Sequence, residues 1–346
     1  MKKLVKYFGT IVCMLIAVSA FSAEKKSIVC VSFPSYDWVN NILGENIGSW
    51  NVTLLQSKGT DSHSWQPSFT DIARISECDI FIYNGGESDS WADKTLQNVK
   101  KQNQVVINLM NELGENVHEE ELAEGMQAEE EHHHHHHGEH DEDEDHDEED
   151  DDEEIEYDEH IWLSLHNAIT LTEAITQRIA ALDSENAETY KHNCADYVEQ
   201  LSQLDEEYHQ LMKNAQCKTI LFGDRFPFRY MTEDYNLKYY AAFAGCSAES
   251  EASFETIIFL AKKIDELGLK CILTIEKSDK KLAKTIAANT KQKKINILEL
   301  DSLQSVNMKE IKKGKSYIKV MRGNLDILSA ALTAAEPQLM PQKERK

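Results

Sequence analysis

Eight histidines stand inside one acidic run: His132, His133, His134, His135, His136 and His137 in succession, then His140 and His146. From 115 to 159 the chain carries 25 Asp plus Glu and no Lys or Arg, against a formal net charge of -25 for all 346 residues. The remainder is therefore close to neutral, and the acidity describes this segment more than any general partner preference. Imidazoles and carboxylates at this density are a ligand supply for a borderline divalent cation such as zinc. Such a stretch cannot bury a core, so its composition predicts a solvated, mobile loop. Purification tags are placed at termini. A mid-chain run with further His and acids beyond it reads as a natural metal collector, and a plain acidic linker would leave the histidines unexplained.

Two single histidines need a different reading. His63 lies in Lys58-Gly-Thr-Asp-Ser-His63-Ser-Trp-Gln-Pro67, between a strand and a helix. Loops at strand carboxyl ends are where open α/β sheets place ligand sites. A lone loop histidine, taken by itself, reads as surface-exposed. His160 follows Asp158-Glu159 and precedes the apolar Ile161-Trp162-Leu163, and His166 comes six residues later. Six residues do not share a helical face. One of the two is expected at a cleft and the other exposed or structural. No G-x-x-x-x-G-K-[ST], H-E-x-x-H or G-x-S-x-G pattern occurs, so the reading is a binding protein and not an enzyme, with no nucleic-acid partner.

The elements that must position these residues follow from periodicity. Basic residues, an apolar run over 11–18 and then Ser19, Ala20, Ser22 and Ala23 have the order of a signal peptide, 1–23, with cleavage after Ala23 or Ala20. This predicts export across the inner membrane to the periplasm or cell surface. An uncleaved anchor is the second reading. Cys13 follows Val12, which is larger than a lipoprotein signal prefers, so no lipid anchor is expected. Six further cysteines are scattered, mostly in apolar runs that suit buried thiols, and Cys217 with Cys246 is the first pair to examine for a disulfide. Strands are predicted over 27–33, 50–55, 79–83 and 104–109, with helices between them, which argues for a parallel sheet covered on both faces. From 185 to 215 there is no Gly or Pro, and Tyr190, Cys194, Tyr197, Leu201, Leu204, Tyr208 and Leu211 recur at helical spacing. A helix of roughly 30 residues spans about 45 Å, the length of a rigid spacer. Strands over 218–222, 238–243, 270–276 and 294–300 then alternate with helices over 228–234, 251–267, 280–290 and 317–335. The fold class is α/β: two Rossmann-like lobes, each a parallel sheet with flanking helices, joined by one long helix. The lobes are 24–168, with the His/acid loop at about 115–157, and 217–336. Linking helices occupy 169–216, and 337–346 is a tail.

Thr60-Asp61-Ser62-His63-Ser64-Trp65-Gln66-Pro67-Ser68 and Asp158-Glu159-His160-Ile161-Trp162-Leu163-Ser164 resemble the metal-binding subunits of ABC importers for zinc and manganese. An acidic, His-rich insertion just before the second histidine is typical of the zinc-specific members of that family, and the layout matches along nearly the whole mature chain. The resemblance implies a monomeric, high-affinity zinc receptor outside the cytoplasm that hands its ion to a membrane permease. It implies an inter-lobe cleft where four protein groups, two from each lobe, close on one ion. His63 and His160 take the first two positions and Asp301 the fourth. The third, usually His or Glu, falls on Arg225, which offers only donors. Asp224, Glu249 or a water can stand in there, and an Asp224–Arg225 ion pair is the structural reading of the same stretch. The loop histidines become low-affinity accessory ligands. Manganese is the alternative cargo, since carboxylates suit it. An exported zinc metallohydrolase with an open metal position is the reading from another class. Surface adhesion and a loop-only metal buffer are further ones.

Overall fold

The computed structural model describes residues 25–99, 101–127, 156–247 and 251–333. The leader, His132 to His137, His140, His146, Glu249 and the tail lie outside the described residues.

The first half runs β1 (Lys26–Cys30), α1 (Phe33–Leu43), β2 (Trp50–Leu54), α2 (Phe69–Glu77), β3 (Ile80–Tyr83), α3 (Trp91–Leu96), β4 (Val105–Asn108) and α4 (Leu109–Leu113). Its four strands are parallel in the order β2-β1-β3-β4. The central strands are apolar on both faces: Ile28, Val29 and Cys30 of β1 and Ile80, Phe81, Ile82 and Tyr83 of β3 are all buried. Parallel strands between two helical layers require that pattern. Helix α2 starts at the capping box that Ser68 and Asp71 predicted.

Two helices follow, α5 (Leu165–Leu182) and the 28-residue α6 (Ala187–Asn214). The second half runs β5 (Thr219–Leu221), β6 (Arg225–Phe226), α7 (Arg229–Asp234), β7 (Lys238–Tyr240), β8 (Phe243–Ala244), α8 (Phe254–Leu267), β9 (Cys271–Ile275), α9 (Lys281–Ala288), β10 (Asn296–Leu300), α10 (Met308–Lys312) and α11 (Tyr317–Thr333). Strands β5 and β7 pair in parallel, as do β9 and β10. A parallel bridge between Phe222 and Leu273 joins the two pairs. The resulting order, β7-β5-β9-β10, repeats the 2-1-3-4 order of the first half.

Helix α6 is more than a spacer. Its stripe of Tyr190, Cys194, Tyr197, Leu201, Leu204, Tyr208 and Met212 is buried along its length. One continuous apolar core holds residues of both halves, from Ile28 to Leu332. Tyr208 donates its hydroxyl to the Met321 carbonyl at 2.6 Å. Tyr197 donates to Asp37 Oδ2 of α1 at 3.3 Å, and the same oxygen takes the Tyr317 N–H of α11 at 3.1 Å.

Three expectations change. The 238–243 strand is two short ones, β7 and β8, which pair with β5 and β6 respectively. The predicted loop over 115–157 has an ordered stem: Glu119 bridges Tyr157, Glu120 N–H donates to the Glu156 carbonyl, and Asp158 N–H donates to the His118 carbonyl. Gln127 N–H then reaches the Ala242 carbonyl of the second half. Glu119 and Glu156 face solvent there, Glu120 and Asp158 turn inward, and the backbone groups pair, a feature composition does not report. Finally, all six described cysteines are free thiols, so the expected Cys217–Cys246 disulfide is absent.

Asp37 generates a prediction. Burial pushes its carboxyl up to about 6, against the opposing pull of the Tyr317 N–H, Tyr197 and Asn41. Between the ordinary carboxylate value and that point, the folded chain keeps a proton that the unfolded chain gives up. The group therefore favours folding most at low pH and loses that contribution as pH rises through about 6. Relative to the parent, Asp37→Asn should gain on the order of 1–3 kcal/mol between about pH 4 and about pH 7. Paired denaturation curves across that window measure the difference, and a pH-independent difference would contradict it.

Candidate metal centre

The stem ladder delivers the chain to Asp158, whose carbonyl accepts the Tyr230 hydroxyl at 2.8 Å. Asp158 Oδ1 accepts two donors, the His160 backbone N–H at 2.9 Å and the His160 Nδ1–H at 2.7 Å. An ionised carboxylate only accepts, so it fixes the imidazole proton on Nδ1 and leaves Nε2 as a bare lone pair. His160 has 0% of its surface exposed. Gly245 passes so close that a Cβ there would lie 3.0 Å from His160 Cε1. Trp162 fixes the other side: its Nε1–H donates to the Ser302 carbonyl of the second half at 2.9 Å. His166 is the exposed member of the pair.

His63 sits in the short 3-10 turn Ser62–Ser64, capped by Asp61 Oδ1, which accepts the His63 N–H at 3.1 Å. Its Nδ1 lies 2.9 Å from Ser88 Oγ. Ser88 is held in turn through its N–H, which donates to Glu159 Oε1 at 2.6 Å. Gly86 makes room for that carboxylate: its φ is +78°, and a Cβ would fall 2.5 Å from Glu159 Cγ. The result is that His63 Nε2 and His160 Nε2 meet at 3.0 Å. Two lone pairs at that distance repel unless a proton or a cation lies between them. A tetrahedral zinc ion with bonds of 2.0–2.1 Å would set two such nitrogens about 3.3 Å apart, a few tenths of an ångström wider.

The third member of the group is Cys246. Its Sγ and one ring nitrogen of each histidine all lie within 4.8 Å of one another, and this is the metal-competent trio among the described residues. Gln304 completes the surroundings, with its Nε2 3.3 Å from His63 Nε2. The electrostatics favour a cation over a proton on the ring. Burial, followed by the neighbouring His160, pushes His63 down to about 3. Buried Asp158 and Glu159 lie beside the pair, and Glu120 Oε1 accepts the Cys246 N–H at 3.0 Å. The nearby cation, Arg225, is matched by Asp61: Nη2 to Oδ2 is 2.6 Å.

The other expected ligands are elsewhere. Asp301 Oδ2 holds Lys315 Nζ at 2.6 Å, and its Oδ1 accepts the Leu303 N–H at 2.9 Å. This carboxylate shapes the turn after β10, where Leu303 has a φ of 66°, and the turn carries Gln304 to His63. Asp224 Oδ1 accepts the Arg225 N–H at 3.0 Å, and both residues line a cleft of about 830 Å³ that also exposes Asp61, His63 and Glu276. Neither Asp224 nor Asp301 belongs to the metal-competent trio. Arg225 pairs with Asp61 across the cleft, not with Asp224. The sequence reading missed Cys246 and Gln304 as site residues. Cys246 was visible only as a thiol, and Gln304 carried no signal beyond lying three residues after Asp301.

Two α/β lobes of one topology, backed by a long helix and closed on an imidazole pair of which His160 is buried and His63 half-buried, have the architecture of the periplasmic metal-binding proteins. The chain belongs to the family of zinc-uptake complex component A, periplasmic (ZnuA), whose model matches residues 28–331. It is 28% identical over 334 residues to the zinc-binding protein AdcA of Streptococcus pyogenes serotype M3, covering 95% of this chain and 60% of AdcA. It thus spans less than two thirds of that relative. It is 29% identical over 309 residues to the high-affinity zinc uptake system protein ZnuA of Bacillus subtilis, covering 89% of this chain and 88% of the relative. Among solved structures, the Zn(II)-bound ZnuA-like domain of Streptococcus pneumoniae AdcA superposes with a TM-score of 0.66 at 26% identity, covering 89% of this chain and 99% of that one.

Asp158→Asn tests the positioning of His160. The amide can present its N–H to Nδ1 and turn the ring proton to Nε2, so zinc affinity should fall about 10–100-fold with the fold intact. Competition against a chromophoric chelator, paired with circular dichroism, reads both. An unchanged affinity would show that the carboxylate does not set the tautomer.

Proposed function

We propose that the chain is the extracytoplasmic zinc receptor of an ABC importer, exported by its leader, and that as a monomer it hands one ion to a membrane permease. The observation that carries this reading is the pair of Nε2 atoms at 3.0 Å, buried between the halves. Neutral imidazoles suit zinc better than manganese, which favours oxygen ligands. Family membership and relatives named for zinc binding and zinc uptake support the same cargo. Each group nearest the histidines acts to hold them, so the arrangement supports capture, not turnover. His132 to His137, His140 and His146 serve as accessory collectors. No helix among the described residues is long and apolar enough to cross a membrane.

Zinc titration of the mature chain tests the site. Replacing 128–155 by a short Gly/Ser linker keeps the ordered stem and removes the loop histidines. One sub-micromolar site should survive that replacement and disappear when His63→Ala and His160→Ala are added. Tight binding of one ion by the double variant would show that the site is elsewhere. Loss of all binding on removing the loop would make the loop the only sink. Delivery is read by growth of the host under zinc chelation. A strain lacking the gene should grow more slowly than its parent, and equal growth counts against delivery.

A further inference from the structure

We propose that Cys246 Sγ and the side-chain carbonyl of Gln304 complete the metal shell begun by His63 and His160, making a thiolate site where a carboxylate site was expected. The inference rests on the zinc-receptor reading above and deepens it. Sγ already lies with one ring nitrogen of each histidine inside 4.8 Å. Zinc bonds of about 2.3 Å to sulfur and 2.0–2.1 Å to nitrogen separate tetrahedral ligand atoms by about 3.3–3.6 Å, so small side-chain movements close the shell. The backbone at Cys246 is fixed from two sides. Its N–H is held by Glu120 Oε1, and its neighbour Gly245 lies against the His160 ring.

Gln304 is the independent observation. It is 4% exposed, its Nε2 faces His63, and its Oε1 is buried without a hydrogen-bond partner. A buried acceptor left unpaired costs about 1–3 kcal/mol. A half-turn of the amide exchanges nitrogen for oxygen and aims that acceptor at the point between the histidines. An ion there satisfies it and takes the place of any proton shared by the two imidazole nitrogens.

Most nearby carboxylates are engaged, and Asp224, whose Oδ2 is buried without a hydrogen-bond partner, lies outside the metal-competent trio. Asp301 holds Lys315, Asp61 holds Arg225, Asp158 holds His160, Glu159 holds Ser88 and Glu120 holds Cys246 itself. Binding is a ligand exchange: the Cys246 S–H bond breaks, a sulfur–zinc bond forms, and one proton leaves to solvent. A soft thiolate in place of an oxygen favours zinc over manganese within the ordered site, without help from the loop.

Cobalt(II) on the full mature chain tests this. The segment 128–155 contains no cysteine, so a sulfur-to-cobalt charge-transfer band reports the cleft even with the loop present. The expected result is that band together with tetrahedral d–d absorption. Cys246→Ser should remove the charge-transfer band and weaken zinc at least tenfold, and Cys217→Ser should change neither. Cys246→Asp guards against misfolding: it should keep the d–d bands and lose the sulfur band. Gln304→Ala should weaken zinc, and Gln304→Glu should keep zinc and raise manganese affinity. Cobalt bound without a sulfur band, with Cys246→Ser unchanged, overturns the Cys246 ligand and leaves the zinc receptor standing. Failure of the parent to take up cobalt or zinc outside the loop overturns both.

Discussion

The 3.0 Å approach of His63 Nε2 to His160 Nε2 requires a proton or a cation between the two nitrogens, and the surrounding structure is arranged to impose it. The proton of His160 is committed to Asp158 on the far side of the ring, so its lone pair has no choice of direction. His63 is set by a cap from Asp61 and by Ser88, which Glu159 holds. Hydrogen bonds to charged groups contribute about 1.5–3 kcal/mol each, enough for a few of them to hold both rings in that geometry. The fold supplies the frame. Apart from His160, which the stem delivers, the residues at the site follow the carboxyl ends of parallel strands: His63 after β2, Ser88 after β3, Arg225 after β5 at the start of β6, Cys246 after β8 and Gln304 after β10. The repeated 2-1-3-4 order turns both sets of loops toward one cleft.

Asp61 links the ordering of one histidine to the closure of the halves. Its Oδ1 caps the turn that carries His63, and its Oδ2 takes the Arg225 guanidinium from the second half. Burial pushes this carboxyl up, yet Arg225 outweighs burial and holds it below the ordinary carboxylate range. Lys277 adds a second bridge, to the Gly59 and Ser305 carbonyls. Arg225 therefore fits a position where a ligand was expected: it fastens the cleft from its rim, and the ligand role falls to residues behind it.

What the sequence disclosed was what is locally encoded. The strand and helix order, the α2 capping box and the long α6 stripe all follow from periodicity within one segment, and they stand in the fold. Both histidines were legible because distinctive residues surround them. Their partners were not. Gln304 reaches His63 only because Asp301 holds a turn with Leu303 in left-handed backbone, and no spacing rule reports that. Arg225 finds Asp61 across 164 residues of chain. The stem at 118–120 and 156–158 was hidden by its composition, since acidic side chains gave no hint of paired backbone. A cysteine count likewise shows how many thiols exist and not what each one faces.

That stem also separates two properties that might otherwise change together. Because 118–120 pairs with 156–158 immediately before His160, the register of His160 is set by that pairing and not by the number of residues between the two stem segments. Repeats of one residue type can therefore lengthen or shorten over generations with little effect on the register of His160. The number of histidines carried there can change while the geometry of the ordered site stays where the fold has set it.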